Sequence, residues 1–459
     1  MDSYDIVIIG AGPGGEAAAH EARLLGAAVA IADARWFGGS CPFIGCIPSK
    51  SLLNAAARHG ASPASYSWKR ASDRRDYMVN RAPDAPEPDD SSHVSELEQA
   101  GAAVYRGLAR ITGRGRVEIR HDDAVHEVGA RWIVVAVGSV SKDLPIEGWK
   151  DLPAEARWTN EQATLARELP RSLVVLGGGP TGCEMAQVYA RFGVQTTIVQ
   201  SGERILPTDH PRNAEAVAFG LRESGVTIRT GVRATAIRPG AGPDGAHAVD
   251  LSDGTSVAGH ALLAAAGRTI PLEGLGLEHY GLDASTRGGV PHDGRVRVAE
   301  GLLMIGDSGG PELHTHQAHY QGERAARMAV GQPVELDYRA LPRATYTDPE
   351  AASVGYSLDQ AKEAGIDALE LVADFTKTSK GYSVEAKTGH VTVVFDRATR
   401  TMVGAAMACP DASAAIHECV LAIRAGVPIE ILAETIHAFP STSRILNGLF
   451  ADAARQLRD

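Results

Sequence analysis

The sequence predicts an α/β fold with two copies of one supersecondary unit, followed by a smaller α+β domain. Three observations support this prediction: two glycine-rich turns of one form, equal spacing in both copies, and alternating hydrophobicity near the C-terminus. Each copy is an apolar run that ends at a glycine, then a helical segment, then a second apolar run. Strands that are joined through a helix lie parallel, so both copies predict parallel sheets.

The first copy begins with an apolar run at 4–9 and continues into a turn with the spacing G-x-G-x-x-G. Gly10 permits the tight bend, Gly12 lets the backbone approach a pyrophosphate, and Gly15 lets the helix pack closely on the sheet. The free N–H groups of the helix start favour phosphate. Asp33 ends the second strand, where a carboxylate accepts hydrogen bonds from an adenosine ribose. This copy therefore predicts a dinucleotide site.

The second copy repeats the turn with Gly177, Gly179 and Gly182. From the first glycine to the end of the second strand there are 23 positions in both copies, 10 to 33 and 177 to 200. The equal spacing predicts two Rossmann-like dinucleotide-binding domains.

The remaining segments are interpreted from hydrophobic periodicity and polarity. Alternation at 390–395 and a helical run at 416–425 predict an α+β domain from residue 341 onward. The polar, proline-rich stretch at 81–92 is predicted to be a solvated loop between two helices.

Composition and charge exclude several classes of protein. The chain has 459 residues, and 56 acidic against 45 basic side chains give a net charge of -11. Such an acidic chain is not expected to bind nucleic acid or an anionic membrane surface. The N-terminus has no basic segment before its apolar run, and no apolar run has the length of a membrane span. We therefore expect a cytoplasmic protein.

The cysteines are too few and too scattered for a structural disulfide framework. Cys41 and Cys46 form a C-x4-C pair without a second ligand pair nearby, which argues against zinc and favours redox chemistry. Because disulfide formation requires close sulfurs, we expect no regular helix between them. The other cysteines are predicted to be small buried hydrophobic residues: Cys183, Cys409 and Cys419.

The segment at 38–50, GGSCPFIGCIPSK, resembles the class I pyridine nucleotide–disulfide oxidoreductases, which include dihydrolipoamide dehydrogenase, glutathione reductase and mercuric reductase. The resemblance extends along the whole chain. It implies that Cys46 is the thiolate that contacts the flavin and that Cys41 exchanges with substrate. It also implies that Lys50 lies beside the flavin N5 and pairs with Glu184.

The resemblance implies two cofactors, FAD and NADPH or NADH, and a homodimer. It predicts an FAD-binding domain at 1–150 and 277–338, an NAD(P)-binding domain at 151–276 and a dimerisation domain at 339–459. Asp307 is expected to hold a ribityl hydroxyl. The other positions implied for FAD are Ser40, Ala109, Gly138, Ser139, His314 and His316. Those implied for the nicotinamide coenzyme, besides the second glycine turn, are Gln200, Arg204, Val232 and Gly267.

Two of these predictions contain alternatives. His314, His316 and His319 indicate either a metal site or a helix start that faces the flavin pyrimidine, and we favour the helix start, with no metal. Gln200 stands where NAD-preferring relatives have an acid, so nothing there repels a 2′-phosphate, and Arg204 is either its partner or a surface arginine. This favours NADPH over NADH.

The chain departs from the family near the C-terminus. Phe439 and Arg444 occupy the positions of the histidine and glutamate that supply acid–base catalysis in the disulfide reductases. Neither side chain can carry out that proton transfer, so we expect neither lipoamide nor glutathione to be the acceptor. His437 is interpreted as structural or, alternatively, as a displaced base.

The sequence thus predicts an enzyme that passes electrons from NAD(P)H through FAD and the cysteine pair to an unidentified small-molecule acceptor. One alternative is a flavin-only diaphorase that reduces quinones or metal ions. Another, suggested by Phe439 and the Cys41-Pro42 pair, is similarity to 2-ketopropyl-coenzyme M oxidoreductase/carboxylase. A third is a redox-sensing or complex subunit of low turnover. The C-terminal cysteine pair of mercuric reductase is absent from the sequence.

Overall fold

The computed structural model describes residues 1–82, 84–284 and 296–458, and it divides the chain into two compact units. The first unit consists of Met1–Ser51, Ser72–Lys142 and Arg268–Leu336. The second consists of Leu52–Ala71, Asp143–Gly267 and Asp337–Asp459. The four domain segments expected from the sequence stay a prediction.

The described part of the chain contains both strands and α-helices throughout its length. The strands are β1 (Asp2–Ile9), β2 (Val29–Asp33), β3 (Ala103–Arg106), β4 (Leu108–Gly113), β5 (Arg116–His121), β6 (Ala124–Val135), β7 (Val140–Ser141), β8 (Arg157–Trp158), β9 (Ser172–Leu176), β10 (Gln195–Val199), β11 (Thr227–Arg229), β12 (Ala234–Arg238), β13 (His247–Leu251), β14 (Ser256–Gly259), β15 (Ala261–Ala264), β16 (Arg268–Thr269), β17 (Arg297–Ala299), β18 (Leu302–Met304), β19 (Pro342–Thr345), β20 (Glu350–Gly355), β21 (Ala368–Asp374), β22 (His390–Asp396) and β23 (Thr401–Cys409). The α-helices are α1 (Pro13–Leu24), α2 (Ser40–Ile44), α3 (Cys46–Ala61), α4 (Trp68–Met78), α5 (Ser91–Gln99), α6 (Asn160–Leu165), α7 (Pro180–Arg191), α8 (Pro211–Glu223), α9 (Thr315–Ala329), α10 (Leu358–Glu363), α11 (Ser379–Ser383), α12 (Ala412–Ala425), α13 (Ile429–Glu434) and α14 (Ser443–Gln456).

The first unit is organised around an eight-stranded sheet whose central order is β17-β18-β6-β1-β2-β3. Its middle strands are parallel, as Ile6 pairs with Val29 on one side and with Trp132 on the other. Successive residues of β1 point to opposite faces, so Ile6 and Val7 enter different hydrophobic cores. Residues 6–9 of β1 are all apolar and buried, because both faces of the sheet are covered.

The second unit repeats this arrangement in a five-stranded parallel sheet, β11-β10-β9-β15-β8. Here Leu173 and Val174 of β9 again belong to cores on opposite faces. A three-stranded antiparallel sheet, β12-β13-β14, accompanies it. The two α/β sheets predicted from the glycine turns are thus confirmed.

The C-terminal part of the second unit has the α+β composition expected from residue 341 onward. Its antiparallel sheet has the order β19-β20-β23-β22-β21, and α12 and α14 share its hydrophobic core.

The stretch at 81–92 follows α4, and its last two residues begin α5. Among the described helices, none has the length and hydropathy that crossing a bilayer requires.

Candidate active site

In the turn after β1, a side chain would have room at Gly12 but would collide with the backbone at Gly10 and Gly15. A methyl group at Gly10 (φ +102°) would lie 2.3 Å from the Ala136 carbonyl oxygen, and one at Gly15 would lie 2.0 Å from the Gly10 carbonyl oxygen. At Gly12 the nearest described atom would be the Gly39 Cα, 3.9 Å away. No described side chain caps the first turn of α1, so its N–H groups face this space. The turn therefore fits a pyrophosphate.

The turn after β9 has the same geometry in the second unit. A methyl group at Gly177 (φ +120°) would lie 2.3 Å from the Ala265 carbonyl oxygen, and one at Gly182 would lie 2.1 Å from the Gly177 carbonyl oxygen. Around Gly179, no described atom outside its own neighbourhood comes within 4 Å of that position. Both glycine motifs thus have the shape that a dinucleotide requires.

In each copy, a residue at the end of the second strand bonds to the glycine turn: Asp33 is the last residue of β2, and Gln200 directly follows β10. The Asp33 carboxylate accepts hydrogen bonds from the Ala11 N–H at 2.8 Å and the Arg35 N–H at 2.7 Å. Burial raises the pKa of Asp33, while these backbone hydrogen bonds oppose the rise. In the second copy, Gln200 Oε1 accepts a hydrogen bond from the Gly178 N–H at 2.9 Å. Each side chain therefore lies beside the position expected for a ribose.

The Arg204 side chain is hydrogen-bonded to nearby backbone carbonyl groups, so it is not free to bind a phosphate. One of its terminal nitrogens donates to the Pro207 carbonyl oxygen at 3.0 Å and to the Asp209 carbonyl oxygen at 3.1 Å. These bonds would have to be released before that nitrogen paired with a 2′-phosphate. Val232 N–H donates to the Gln200 carbonyl oxygen at 3.3 Å, next to the turn. Gly267, also predicted here, has φ +111°.

The redox loop, residues 38–46, corrects one expectation. Cys41 lies within the short helix α2, so the expectation of no regular helix between the cysteines is wrong as far as Ile44. The helix breaks at Gly45, and Cys46 begins α3. A methyl group at Gly45 would lie 3.1 Å from the Cys41 Cα, so the absence of a side chain lets the chain fold back past Cys41.

A hydroxyl group that the sequence analysis missed lies between the two sulfurs. Thr315 Oγ1 donates to Cys41 Sγ at 3.2 Å and lies 3.6 Å from Cys46 Sγ. The hydrogen bond with Cys46 and burial raise the pKa of the Cys41 thiol, and the Thr315 hydroxyl partly opposes this rise. A hydroxyl residue inside the histidine run at a helix start was the available signal.

Helix α9 brings Thr315 to this place by packing against α1. A methyl group at Gly322 would lie 2.3 Å from the Gly14 carbonyl oxygen, so the two helices cross in close contact. His314 directly precedes α9, and its ring stacks on that of His316 with a centroid distance of 5.0 Å. Within the described ranges, no three side chains form a metal-binding group. His314 thus lies at a helix start, and the choice between that interpretation of the histidines and a metal site stays a prediction.

The predicted ribityl contact, Asp307, is held in a small polar cluster. Ser139 Oγ donates to the Asp307 carboxylate. Arg268, a residue that sequence reasoning did not identify, donates to Ser139 Oγ at 2.5 Å and to the Ser139 carbonyl oxygen at 2.6 Å. Gly138 adopts φ +64°, and Ala109 lies buried on β4. Ser40 is the first residue of α2.

Lys50 and Glu184 belong to different units, so their expected ion pair stays a prediction. Lys50 Nζ donates to Ser49 Oγ at 3.4 Å. Glu184 is buried, and its Oε1 accepts a hydrogen bond from the Tyr346 N–H at 3.0 Å.

The C-terminal segment contains the residues predicted to replace the family's acid–base pair, and that replacement stays a prediction. Phe439 is 71% exposed, and the Arg444 side chain donates to Asn447. His437 Nδ1 lies 2.9 Å from the Thr435 carbonyl oxygen, and its Nε2 lies 2.6 Å from Glu418 Oε1. Both ring nitrogens are therefore engaged by oxygen atoms of the same unit, which favours the structural interpretation of His437.

The three remaining cysteines are buried, as predicted: Cys183, Cys409 and Cys419. Burial raises the pKa of each thiol, that of Cys409 to about 12. Thiols of this kind remain protonated and unreactive at neutral pH.

Comparison with known proteins agrees with this geometry. The family model described as pyridine nucleotide-disulphide oxidoreductase matches residues 4–322, and the model of that family's dimerisation domain matches residues 341–448. Dihydrolipoyl dehydrogenase of Bacillus subtilis (strain 168) is 32% identical over 459 residues, which cover 96% of this chain and 94% of that protein.

Two solved structures show the same fold. The Cu(II) complex of the HOCl-induced flavoprotein disulfide reductase RclA from Escherichia coli has a TM-score of 0.85 and 26% identity, over 98% of this chain and 99% of that chain. LpdA from Mycobacterium tuberculosis has a TM-score of 0.85 and 25% identity, over the full length of both chains.

The chain therefore belongs to the pyridine nucleotide-disulphide oxidoreductase family. Members of this family are oxidoreductases that bind FAD and NAD(P)H, so the predicted family, enzyme class and cofactors are confirmed. The dimerisation domain indicates a homodimer.

The coenzyme prediction is tested by Gln200→Glu. A carboxylate there can still accept the Gly178 N–H, but it repels a 2′-phosphate. We expect KM for NADPH to rise at least about tenfold, since one unfavourable charge contact of ~1.4 kcal/mol has that effect, and KM for NADH to change little. Steady-state kinetics with both coenzymes measure this, with Arg204→Ala as a second variant. An unchanged ratio of the two KM values would show that Gln200 does not discriminate.

A histidine outside the predicted site supports the redox loop. His93 on α5 lies 2.9 Å from Glu16 Oε1 on α1, and its ring packs edge-on against Phe43. A methyl group at Gly38 would lie 2.7 Å from His93 Nε2. The Glu16 carboxylate raises the pKa of His93, burial opposes the rise, and the charges of Glu96 and Asp90 add to it. When it is protonated, His93 links the redox loop to α1 through its contacts with Phe43 and Glu16.

The sign of this effect gives a pH prediction. Because the pKa of His93 is raised on folding, the stabilisation is complete below the ordinary histidine pKa and is lost as the pH rises through the folded value. His93→Gln should lower Tm more at pH 6 than at pH 9, by an amount that corresponds to ~0.5–1 kcal/mol for a partly exposed pair. His20→Gln, on α1 without a described carboxylate partner, serves as control. Equal losses at both pH values would contradict the prediction.

Proposed function

We propose that this chain is an NAD(P)H-dependent flavoprotein that uses Cys41 and Cys46 to reduce an acceptor requiring no histidine acid–base catalyst. The observation that carries the proposal is the position of Thr315, whose hydroxyl contacts both sulfurs. Two thiols that share a donor at a helix start are arranged for exchange of a proton and an electron pair.

The first unit has the residues that would hold FAD. The open turn at Gly12 would take the pyrophosphate, Asp33 the ribose, and the Ser139–Asp307 pair the ribityl chain. Bound FAD would supply hydride acceptance from NAD(P)H and delivery of an electron pair to the disulfide. The turn at Gly179 in the second unit would hold the coenzyme pyrophosphate.

In each redox cycle of the disulfide, the two sulfurs take up one proton on reduction and release it on reoxidation. Two electrons and one proton convert the disulfide to one thiol and one thiolate. Cys41 keeps the proton because its pKa is raised, so Cys46 carries the negative charge. The Thr315 hydroxyl stabilises whichever sulfur is anionic by donating a hydrogen bond to it. Reoxidation by an acceptor re-forms the disulfide and releases the proton to solvent.

The C-terminal residues support an acceptor other than lipoamide or glutathione, given that Phe439 stands at the position of the family base. Exchange with lipoamide or glutathione needs a group that deprotonates Cys41, and the position of that group is held by Phe439. His437 is engaged with Glu418 and Thr435. A missing general base costs about 10²- to 10⁴-fold in rate. We therefore propose an acceptor that reacts with thiols without enzymic proton transfer.

A thiophilic metal ion is such an acceptor. Two adjacent thiols are soft ligands that bind copper well, and two Cu(II) ions would oxidise the thiol–thiolate pair to the disulfide, giving two Cu(I) ions and one proton. The observation that favours this candidate is the RclA structure, solved as a Cu(II) complex, whose chain matches this one over nearly its whole length.

The decisive experiment compares wild type with Cys41→Ser and Cys46→Ser. Anaerobic titration with NADPH and NADH should give a long-wavelength thiolate–flavin band in wild type but not in Cys46→Ser. Reduction of Cu(II) should fall at least about 100-fold in both variants, because either change destroys the disulfide route. Full turnover of quinones and Cu(II) by both variants would establish a flavin-only diaphorase instead. Slow turnover of every acceptor by wild type would favour a sensing subunit.

The role of the C-terminal residues is tested by restoring the family pair. The double variant Phe439→His/Arg444→Glu should raise kcat/KM for lipoamide or glutathione disulfide by about 10²-fold, because it supplies a base and the carboxylate that orients it. Each single variant serves as a control and should give a much smaller gain. An unchanged rate in the double variant would show that residues 439 and 444 do not limit the choice of acceptor.

A further inference from the structure

A cavity of about 490 Å³ lies at the edge of the main sheet of the first unit, at the amino ends of β1 and β2. Ser3, Tyr4 and Ala28 contribute to its wall. The glycine turn at Gly10 follows the opposite, carboxyl end of β1. Because β1 has eight residues at about 3.3 Å each, the cavity and the turn are separated by the length of the strand. The cavity is therefore a separate site from the one described above.

Three arginines line this cavity: Arg114, Arg116 and Arg131. In the described part of the chain, none of them forms an ion pair with a carboxylate, whereas their neighbours Arg110 and Arg120 pair with glutamates. The lining contains a single acidic side chain, Asp5, one of whose oxygens accepts the Ala28 N–H at 2.8 Å. Three unneutralised guanidinium groups on a chain of net charge -11 form a local excess of positive charge.

The backbone that carries two of these arginines is fixed. Gly115, between Arg114 and Arg116, adopts φ +67°. Its carbonyl oxygen accepts the Ala130 N–H at 2.9 Å, and its own N–H donates to the Tyr280 hydroxyl at 3.0 Å. The Arg114 guanidinium lies over the Tyr280 ring, 5.2 Å from its centroid. Binding here would need little ordering of the chain, which favours affinity.

The cavity wall at Gly129 leaves room for a ligand. A methyl group at this position would lie 3.4 Å from the Met1 side chain and 3.5 Å from Ser3 Oγ, which is ordinary contact. Gly129 is not among the residues with positive φ, so a larger side chain would be tolerated. A cavity of this volume falls in the range of small-molecule sites, about 300–1,000 Å³.

We propose that this cavity binds the oligophosphate group of a nucleotide-sized molecule, at a site independent of the redox chemistry. Planar guanidinium groups bind phosphate oxygens with two parallel hydrogen bonds. Three such groups against the one carboxylate of Asp5 leave an excess of two positive charges, which a ligand with two or more phosphates neutralises. Ser3 Oγ is a further hydrogen-bond donor at the wall.

The test measures binding of tripolyphosphate and ATP to the FAD-loaded protein by calorimetry, with saturating NADP⁺ to occupy the coenzyme site. We expect one saturable site per chain. Arg116→Ala/Arg131→Ala should weaken it at least about tenfold, since each removes charge-assisted hydrogen bonds. A matched control, Arg120→Ala, removes an arginine from the same strand, and it should change the affinity less than about twofold.

A second variant separates loss of the site from loss of the fold. Gly129→Leu leaves the charge unchanged and fills the cavity, so it too should weaken binding at least about tenfold. FAD content and diaphorase activity should remain at wild-type values in all variants, because the cavity lies at the opposite sheet edge from the glycine turn. The proposal is overturned if wild type shows no saturable binding below about 1 mM, or if Gly129→Leu binds like wild type.

Discussion

The candidate active site depends on close backbone contacts around the start of α1. Gly39 of the redox loop comes so near that a methyl group on it would lie 2.6 Å from the Gly12 Cα, and Gly322 of α9 approaches Gly14 in the same way. Larger side chains at these positions would force the redox loop and α9 away from the turn. Thr315 would then no longer contact both sulfurs. The dinucleotide turn and the dithiol are thus parts of one packing arrangement.

The two copies of the α/β unit show how one backbone geometry accepts different chemistry. Both turns use a side chain at the end of the second strand to accept an N–H of the glycine turn, through Asp33 in one copy and Gln200 in the other. The carboxylate can only accept hydrogen bonds, whereas the amide also donates. The contact with the turn is shared, while the two side chains differ in charge. Arg204 is bonded to two carbonyl oxygens, so the prediction of coenzyme choice depends on Gln200.

The sequence predicted the features whose signal is local and did not predict those that arise from packing. The sequence was sufficient to recognise both glycine turns, the cysteine pair and the α+β pattern after residue 341, because each of these is formed by consecutive residues. Thr315 and Arg268 could not, since their contacts with Cys41 and Ser139 join residues 274 and 129 positions apart. The helix at Cys41 was missed because the proximity of two cysteines was taken to require irregular chain throughout, whereas one break at Gly45 is sufficient.

The single hydroxyl between the sulfurs has a further consequence. Thr315 has one proton to donate and lies within reach of Cys41 and Cys46 alike, at 3.2 and 3.6 Å. When negative charge passes from one sulfur to the other, rotation about one C–O bond is enough to redirect that donor. The donor can thus follow a proton transfer between the two sulfurs by a torsional motion of one hydrogen atom, with no displacement of helix or loop.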